Sequence, residues 1–139
     1  MKTNLSAIFA TDEKKEEGGA WIMVNEAYGL RIKVRRLRSD TVVKAYERIL
    51  REELGEGKLR KPGDIDDAMS MHMFKRQLAE AVLVDWENVR DTETGEEVPF
   101  SVEAAMEAVA YKDFRDFVVQ AANERDSFRE DADKDAEGN

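Results

Sequence analysis

The stretch Leu30-Arg31-Ile32-Lys33-Val34-Arg35 alternates apolar and basic side chains without a break. This period of two places the three aliphatic side chains on one face of a β-strand and the cations on the other. Residues 20–25, Ala-Trp-Ile-Met-Val-Asn, are rich in β-branched and aromatic residues and precede a turn-like segment at 26–29. The two runs predict a β-hairpin. Because an isolated hairpin is marginally stable, its apolar face must pack on helices or pair in an assembly.

Apolar residues recur at helical spacing after the hairpin. Ser39 or Asp40 offers an N-cap for a first helix that ends at Gly55. A second, longer helix is predicted from Asp64 or Asp66 to about residue 89, because one apolar stripe continues over that range. The stripe consists of Met71, Phe74, Leu78, Val82, Trp86 and Val89.

Two further helices are predicted near the C-terminus. Ser101 is placed as the N-cap of a third helix, with Phe100 placed for a hydrophobic staple. A fourth helix follows, whose apolar face carries Phe114, Phe117, Val118, Ala121 and Phe128. The predicted fold class is therefore α+β and predominantly α-helical, with an N-terminal β-hairpin followed by about four helices.

Composition shifts divide the chain into three parts. Residues 1–19 are predicted to be a flexible segment, because they contain the charged run 12–17 beside one small apolar cluster (Leu5, Ile8, Phe9). Residues 20–128 are predicted to form a single helical domain that begins with the hairpin. Residues 129–139 carry no large apolar side chain and are predicted to be a disordered acidic tail.

Charge and hydropathy limit the classes of partner. The net charge of −9 over 139 residues repels a polyanion, so we expect no nucleic acid. We also expect no membrane contact and a cytoplasmic location, because no stretch is apolar enough to span a bilayer or to serve as a signal peptide. One basic strip contains Arg31, Lys33, Arg35, Arg36 and Arg38. It is interpreted either as a solvated strand face or as a docking face for an acidic partner.

The residues that carry enzyme chemistry are few. The chain has no cysteine, which excludes thiolate metal sites and disulfides. Its one histidine, His72, has no His or Cys at i+4, so a structural or surface role is favoured. The acidic turn 91–97 lacks EF-hand spacing, because Gly95 stands at the fifth position of the loop. We therefore predict a protein that is not an enzyme, with no catalytic residue, cofactor or metal.

Tryptophan and methionine suggest protein binding instead. Trp is common at interface hot spots, and Met is common on adaptable surfaces. We predict self-association around Trp21, for which a core position is the alternative. Client binding is predicted at surplus apolar positions of the second helix, namely Met69, Met73 and Leu83.

The order of several short motifs resembles a tail assembly chaperone of long-tailed bacteriophages or prophages. The resemblance covers residues 5–128 and rests on packing and turn motifs. These motifs are Leu5 to Asp12, Gly19 to Ile22, Gly29 to Val34 with Arg36, Leu83 to Val89, Gly95, Val98 to Ser101, and the pair Phe114 and Phe117.

This resemblance implies a mainly helical, self-associating protein without an active site. It implies that the protein works in the host cytoplasm, outside the mature virion, where it binds the tape measure protein and recruits tail tube protein. Two other classes stay open. An acidic inhibitor that mimics nucleic acid fits the charge of −9, and a small hydrolase would have to be built around His72.

The acidic tail gives the first testable prediction. Deleting Asp131 to Asn139 removes no large apolar side chain, so the free energy of unfolding should change by less than about 0.5 kcal/mol. Denaturant titration of the full and shortened chains measures this. A clear loss of stability would show that the tail packs on the domain.

Overall fold

The computed structural model describes residues 1–55 and 65–130, in which helices cover one face of a three-stranded antiparallel sheet. The predicted α+β, predominantly helical fold with an early hairpin is confirmed. The elements in chain order are α1 (Asn4–Phe9), α2 (Glu13–Gly18), β1 (Ala20–Asn25), β2 (Leu30–Val34), α3 (Asp40–Leu54), α4 (Asp67–Gln77), a π-helical turn (Leu78–Val82), β3 (Leu83–Glu87), α5 (Val102–Val109), α6 (Lys112–Asn123) and a 3-10 turn (Arg125–Phe128).

The sheet has the order β1-β2-β3, so β2 is the central strand. Ile22, Ile32 and Trp86 lie opposite one another across the three strands, on the face that the helices cover. Ile32 and Val34 are fully buried. The alternation read from the sequence of β2 therefore gives the correct buried face.

The prediction that the second helix continues to residue 89 is wrong. The chain leaves the helical conformation at Leu83, with ψ of 131°, and forms β3 against β2. The reason is the position of Trp86, which packs edge-to-face on Phe100 with ring centroids 5.2 Å apart. Its indole N–H donates to the Val98 carbonyl at 2.8 Å. Strand geometry lets Trp86 reach this buried site while Asp85 remains exposed.

The π-helical turn Leu78–Val82 lies at the centre of the core. Its four apolar residues are at most 2% exposed, and it contacts α3, α4, α5, α6 and β3. The turn joins α4 to β3 without a loop. The direction of the helix and the position of the strand are therefore coupled.

Residues 1–19, for which the sequence predicts a flexible segment, contain two short helices in the structure. Thr3 and Ser6 form a reciprocal capping box at the start of α1, and Asp12 caps α2. The Asp12 N–H donates to the Phe128 carbonyl at 2.8 Å, which joins the segment to the C-terminal 3-10 turn. Most of the predicted acidic tail (131–139) and Asp64, one predicted start of the second helix, lie outside the described residues.

The N-terminus of α3 is capped by a distant side chain. Ser39 occupies the predicted N-cap position but makes no capping hydrogen bond with its side chain. The Glu17 carboxylate instead accepts from the Asp40 N–H at 2.8 Å and from the Thr41 hydroxyl at 2.9 Å. The hydrogen bond from the Asp40 backbone is the main cause that lowers the pKa of Glu17 below its ordinary value. α2 therefore helps to fix where α3 begins.

This cap predicts a difference between two glutamates of α2. Glu17→Ala should lower the melting temperature at neutral pH, because it leaves the first N–H groups of α3 without their acceptor. Glu13→Ala, an exposed control on the same helix, should change it little. The pKa of Glu17 is lower in the folded state, so its contribution is lost as the pH falls through that value. Equal melting temperatures at pH 7 would contradict the cap.

Candidate protein-binding surface

Trp21, the residue predicted to mediate self-association, lies half-buried on the outer face of the sheet. The Arg31 guanidinium is 4.7 Å from the ring centroid and the Lys33 ammonium is 5.8 Å from it. Arg31 also pairs with Glu87 at 2.7 Å. Cation–π contacts of this kind contribute about 0.5–1 kcal/mol at exposed sites. Trp21 is thus held in place on the face of the sheet that carries Arg31 and Lys33.

The basic strip is largely used inside the molecule. Arg35 donates to the Glu17 carbonyl at 2.7 Å and to the Ala81 carbonyl at 2.9 Å. Arg36 forms an ion pair with Glu16 at 2.7 Å. These contacts join the end of β2 to α2 and to the π-helical turn. Arg35 and Arg36 therefore have structural roles, and Arg31 and Lys33 lie over the Trp21 ring.

The structure separates the methionines of α4. Met73 is fully buried and Leu83, the first residue of β3, is 2% exposed. Neither can contact a client without unfolding, so the surface role predicted for these two residues is corrected to a core role. Met69 is half-buried, and Met71, which the sequence analysis placed on a core stripe, is 39% exposed. Positions two apart on a helix differ by about 200° in direction, which explains the exchange of Met71 and Met73.

A network of ion pairs joins α3 to α4. Arg76 donates to Glu80 at 2.6 Å, to Glu52 at 2.6 Å and to Glu53 at 3.0 Å. Arg48 completes it with contacts to Glu52 and Glu80. Burial opposes ionisation of Glu80, but the hydrogen bonds from Arg76 and Arg48 outweigh it and lower the pKa of that carboxyl. The pKa values of Glu52 and Glu53 are also lowered, chiefly by Arg76.

An exposed apolar stripe lies on α1, outside the predicted binding residues. Leu5, Ile8 and Phe9 are 63%, 46% and 58% exposed. The helix is held by Arg129, which donates to the Ile8 carbonyl at 2.8 Å, and by Arg125, whose guanidinium lies 5.0 Å from the Phe9 ring centroid. These contacts fix α1 while its apolar side chains stay open to solvent. The i, i+3, i+4 spacing in the sequence is the signal for this stripe.

The prediction that the protein is not an enzyme depends mainly on His72, its one histidine. Its Nε2 lies 2.8 Å from Glu53 at the rim of the ion-pair network. Within residues 1–55 and 65–130, no group of three or more His, Asp or Glu side chains is arranged to hold a metal ion. In the same ranges, no helix is both long and apolar enough to cross a bilayer.

A comparison with protein-family models supplies the origin of the chain. The model for YdaY prophage proteins matches residues 37–139, which is most of the sequence. The chain belongs to the YdaY prophage protein family. The phage or prophage origin implied by the sequence resemblance is thereby confirmed. The match includes α3 and everything after it, so in this YdaY protein the ion-pair network lies inside the matched region and Trp21 lies before it.

Searches of the curated proteins and of the solved structures found no match.

The ion-pair network predicts a dependence of stability on pH. Arg76→Met should lower the free energy of unfolding by about 2 kcal/mol at pH 7, because three carboxylates lose a hydrogen-bonded cation. Lowered pKa values stabilise the fold above the unfolded-state pKa and cease to do so as the pH falls through the folded-state values. The difference in the free energy of unfolding between Arg76→Met and wild type should therefore be smaller in acid than at pH 7.

The control for this prediction is Lys44→Met, which removes an exposed cation of α3 that lies 4.0 Å from Asp40. It should change the free energy of unfolding by less than about 0.5 kcal/mol. Denaturant titrations at pH 7 and in acid compare the variants. A constant difference between Arg76→Met and wild type across this range would show that charge is not the cause.

Proposed function

We propose that this YdaY protein is a non-enzymatic chaperone for phage tail assembly. In this proposal it binds the tape measure protein, keeps that protein soluble and helps to recruit tail tube subunits. It acts in the cytoplasm of the host and does not enter the mature virion. Membership of a prophage family supports the origin, and the motif resemblance over residues 5–128 supports the finer assignment.

The exposed stripe of α1 is the observation that carries this proposal. A long helical client presents apolar stripes, and helices recognise such stripes through side chains at i, i+3 and i+4. Leu5, Ile8 and Phe9 provide that spacing on a helix that buries none of its residues. Arg125 and Arg129 border the stripe. An apolar centre with a charged rim is the usual composition of a protein-binding surface.

The exposed methionine of α4 supports a second contact with the client. Met71 is open to solvent, and Met69, two residues earlier in α4, is half-buried. Methionine side chains adapt to partners of different shape, which suits a client whose sequence varies along its length. Of the binding residues predicted from the sequence, Trp21 and Met69 remain part of this proposal.

The acidic-mimic alternative receives less support from the arrangement of charges. A nucleic-acid mimic needs a continuous anionic surface. In α3 and α4, however, Arg48 and Arg76 lie among the carboxylates and pair with them. Arg31 and Lys33 likewise occupy the outer face of the sheet. Anionic and cationic side chains are thus interspersed, and such a surface with a net charge of −9 favours solubility of a protein complex.

The test is co-expression with the tape measure protein encoded in the same prophage. Wild type should keep that protein in the soluble fraction and co-purify with it. The double variant Ile8→Glu and Phe9→Glu should retain its circular dichroism spectrum but bind more weakly. A hot-spot loss of about 2 kcal/mol corresponds to a dissociation constant about 30-fold higher.

The matched control is Val102→Glu, which places the same charge on a side chain that is 47% exposed on α5. This variant should bind the tape measure protein as wild type does. A wild-type protein that never binds it would refute the chaperone function. Unchanged binding by the double variant would refute the α1 site. Salt-sensitive inhibition of a DNA-binding protein would instead favour the mimic.

A further inference from the structure

The edge strand β1 lacks the charged side chains and the proline that commonly oppose pairing with another strand. Residues 20–25 contain neither a charged side chain nor a proline. In the described ranges β1 pairs only with β2. Soluble proteins usually protect such an edge with lysine, proline, a bulge or a covering element. The bulge in β1 falls between Met23 and Asn25, near the end of the strand, so Ala20 to Met23 form a regular edge.

Two backbone hydrogen bonds of the residues that directly follow β2 indicate which groups of β1 face outward. The Arg35 N–H donates to Val82 on the β3 side, whereas the Arg36 N–H donates to Glu16 on the other side. Alternation along β2 then turns the even-numbered residues toward β1. Their opposite residues, Ala20 and Ile22, point back at β2. The N–H and C=O groups of Trp21 and Met23 are therefore directed at the open edge.

This edge is complementary to itself. In an antiparallel pair of two β1 strands, residues that face each other must lie on the same face of the sheet. With Ile22 at the two-fold axis, Trp21 lies opposite Met23 of the partner subunit, and sulfur–aromatic contacts are favourable. No like charges oppose each other, because residues 20–25 are all uncharged.

A small cavity adjoins Ile22 on the covered side of the sheet. Its volume is about 140 Å³, which offers room for an aliphatic side chain. Apolar groups of Ile22, Phe117 and Ala121 line it together with the polar residues Gln120, Glu124 and Ser127. The structure thus provides an open edge and, beside the residue at the two-fold axis, a cavity for a partner side chain.

We propose that two copies of the protein pair through β1 in antiparallel orientation, with Ile22 at the two-fold axis. The two three-stranded sheets then form one continuous sheet, and Ile22 of the partner subunit enters the cavity. Such an interface is isologous and closes at a dimer. The proposal does not depend on the chaperone function, because the dimer is measured without any client.

Cysteine cross-linking tests the register. The chain contains no cysteine, so an introduced cysteine provides the single thiol of each subunit. Directly opposite residues in an antiparallel pair have Cα atoms about 4.5–5.5 Å apart, which a disulfide can span. Ile22→Cys should form a covalent dimer under mild oxidation. Val102→Cys, an exposed control on α5, should remain a monomer on a denaturing gel. Equal cross-linking of both would refute the register.

Sedimentation velocity tests the interface without a cross-link. Wild type should sediment as a dimer, and Met23→Glu should shift it toward monomer, because a charge on the edge opposes strand pairing. Arg31 lies opposite Met23 within the subunit and can pair with the new carboxylate, so the fold should survive. Val102→Glu introduces the same charge on α5 and should remain a dimer. A monomeric wild type, or a Met23→Glu dimer, would overturn the proposal.

Discussion

Burial of the π-helical turn Leu78–Val82 constrains the rest of the structure. All four apolar residues of this turn are in the core, and full burial of Leu78 and of Val82 contributes about 1.5–3 kcal/mol for each side chain. The turn contacts four helices and the third strand. Because no loop separates it from α4 or β3, a shift of the helix would move the strand and withdraw Trp86 from its position beside Phe100 and Val98.

Sequence periodicity was sufficient for the elements whose contacts are local. The alternation of β2 and the cap at Ser101 lead directly to a strand and a helix. β3 was missed because Leu78, Val82 and Trp86 continue a helical spacing, and a short apolar run fits either conformation. Residues 83–87 form a strand because they pair with β2, which lies far away in the sequence. The Glu17 cap on α3 was missed for the same reason.

The candidate surface was predictable only in part. Trp21 and Met69 remain accessible, whereas Met73 points into the core. A prediction that misplaces the buried face of a helix by two residues exchanges a core position for a surface one. The stripe of α1 is visible in the sequence as Leu5, Ile8 and Phe9. What the sequence could not show is that Arg125 and Arg129, more than 100 residues away in the chain, hold this helix with its apolar side chains uncovered.

The family match covers only part of the three-stranded sheet. The match starts at residue 37, just after β2, yet β3 lies inside it and is paired with β2. A fragment that contained only the matched residues would leave the backbone of β3 unpaired and would uncover Trp86. The matched region therefore does not contain the strand with which β3 pairs. If other YdaY proteins share this sheet, their preceding residues can diverge in identity but must still supply a strand with alternating apolar side chains.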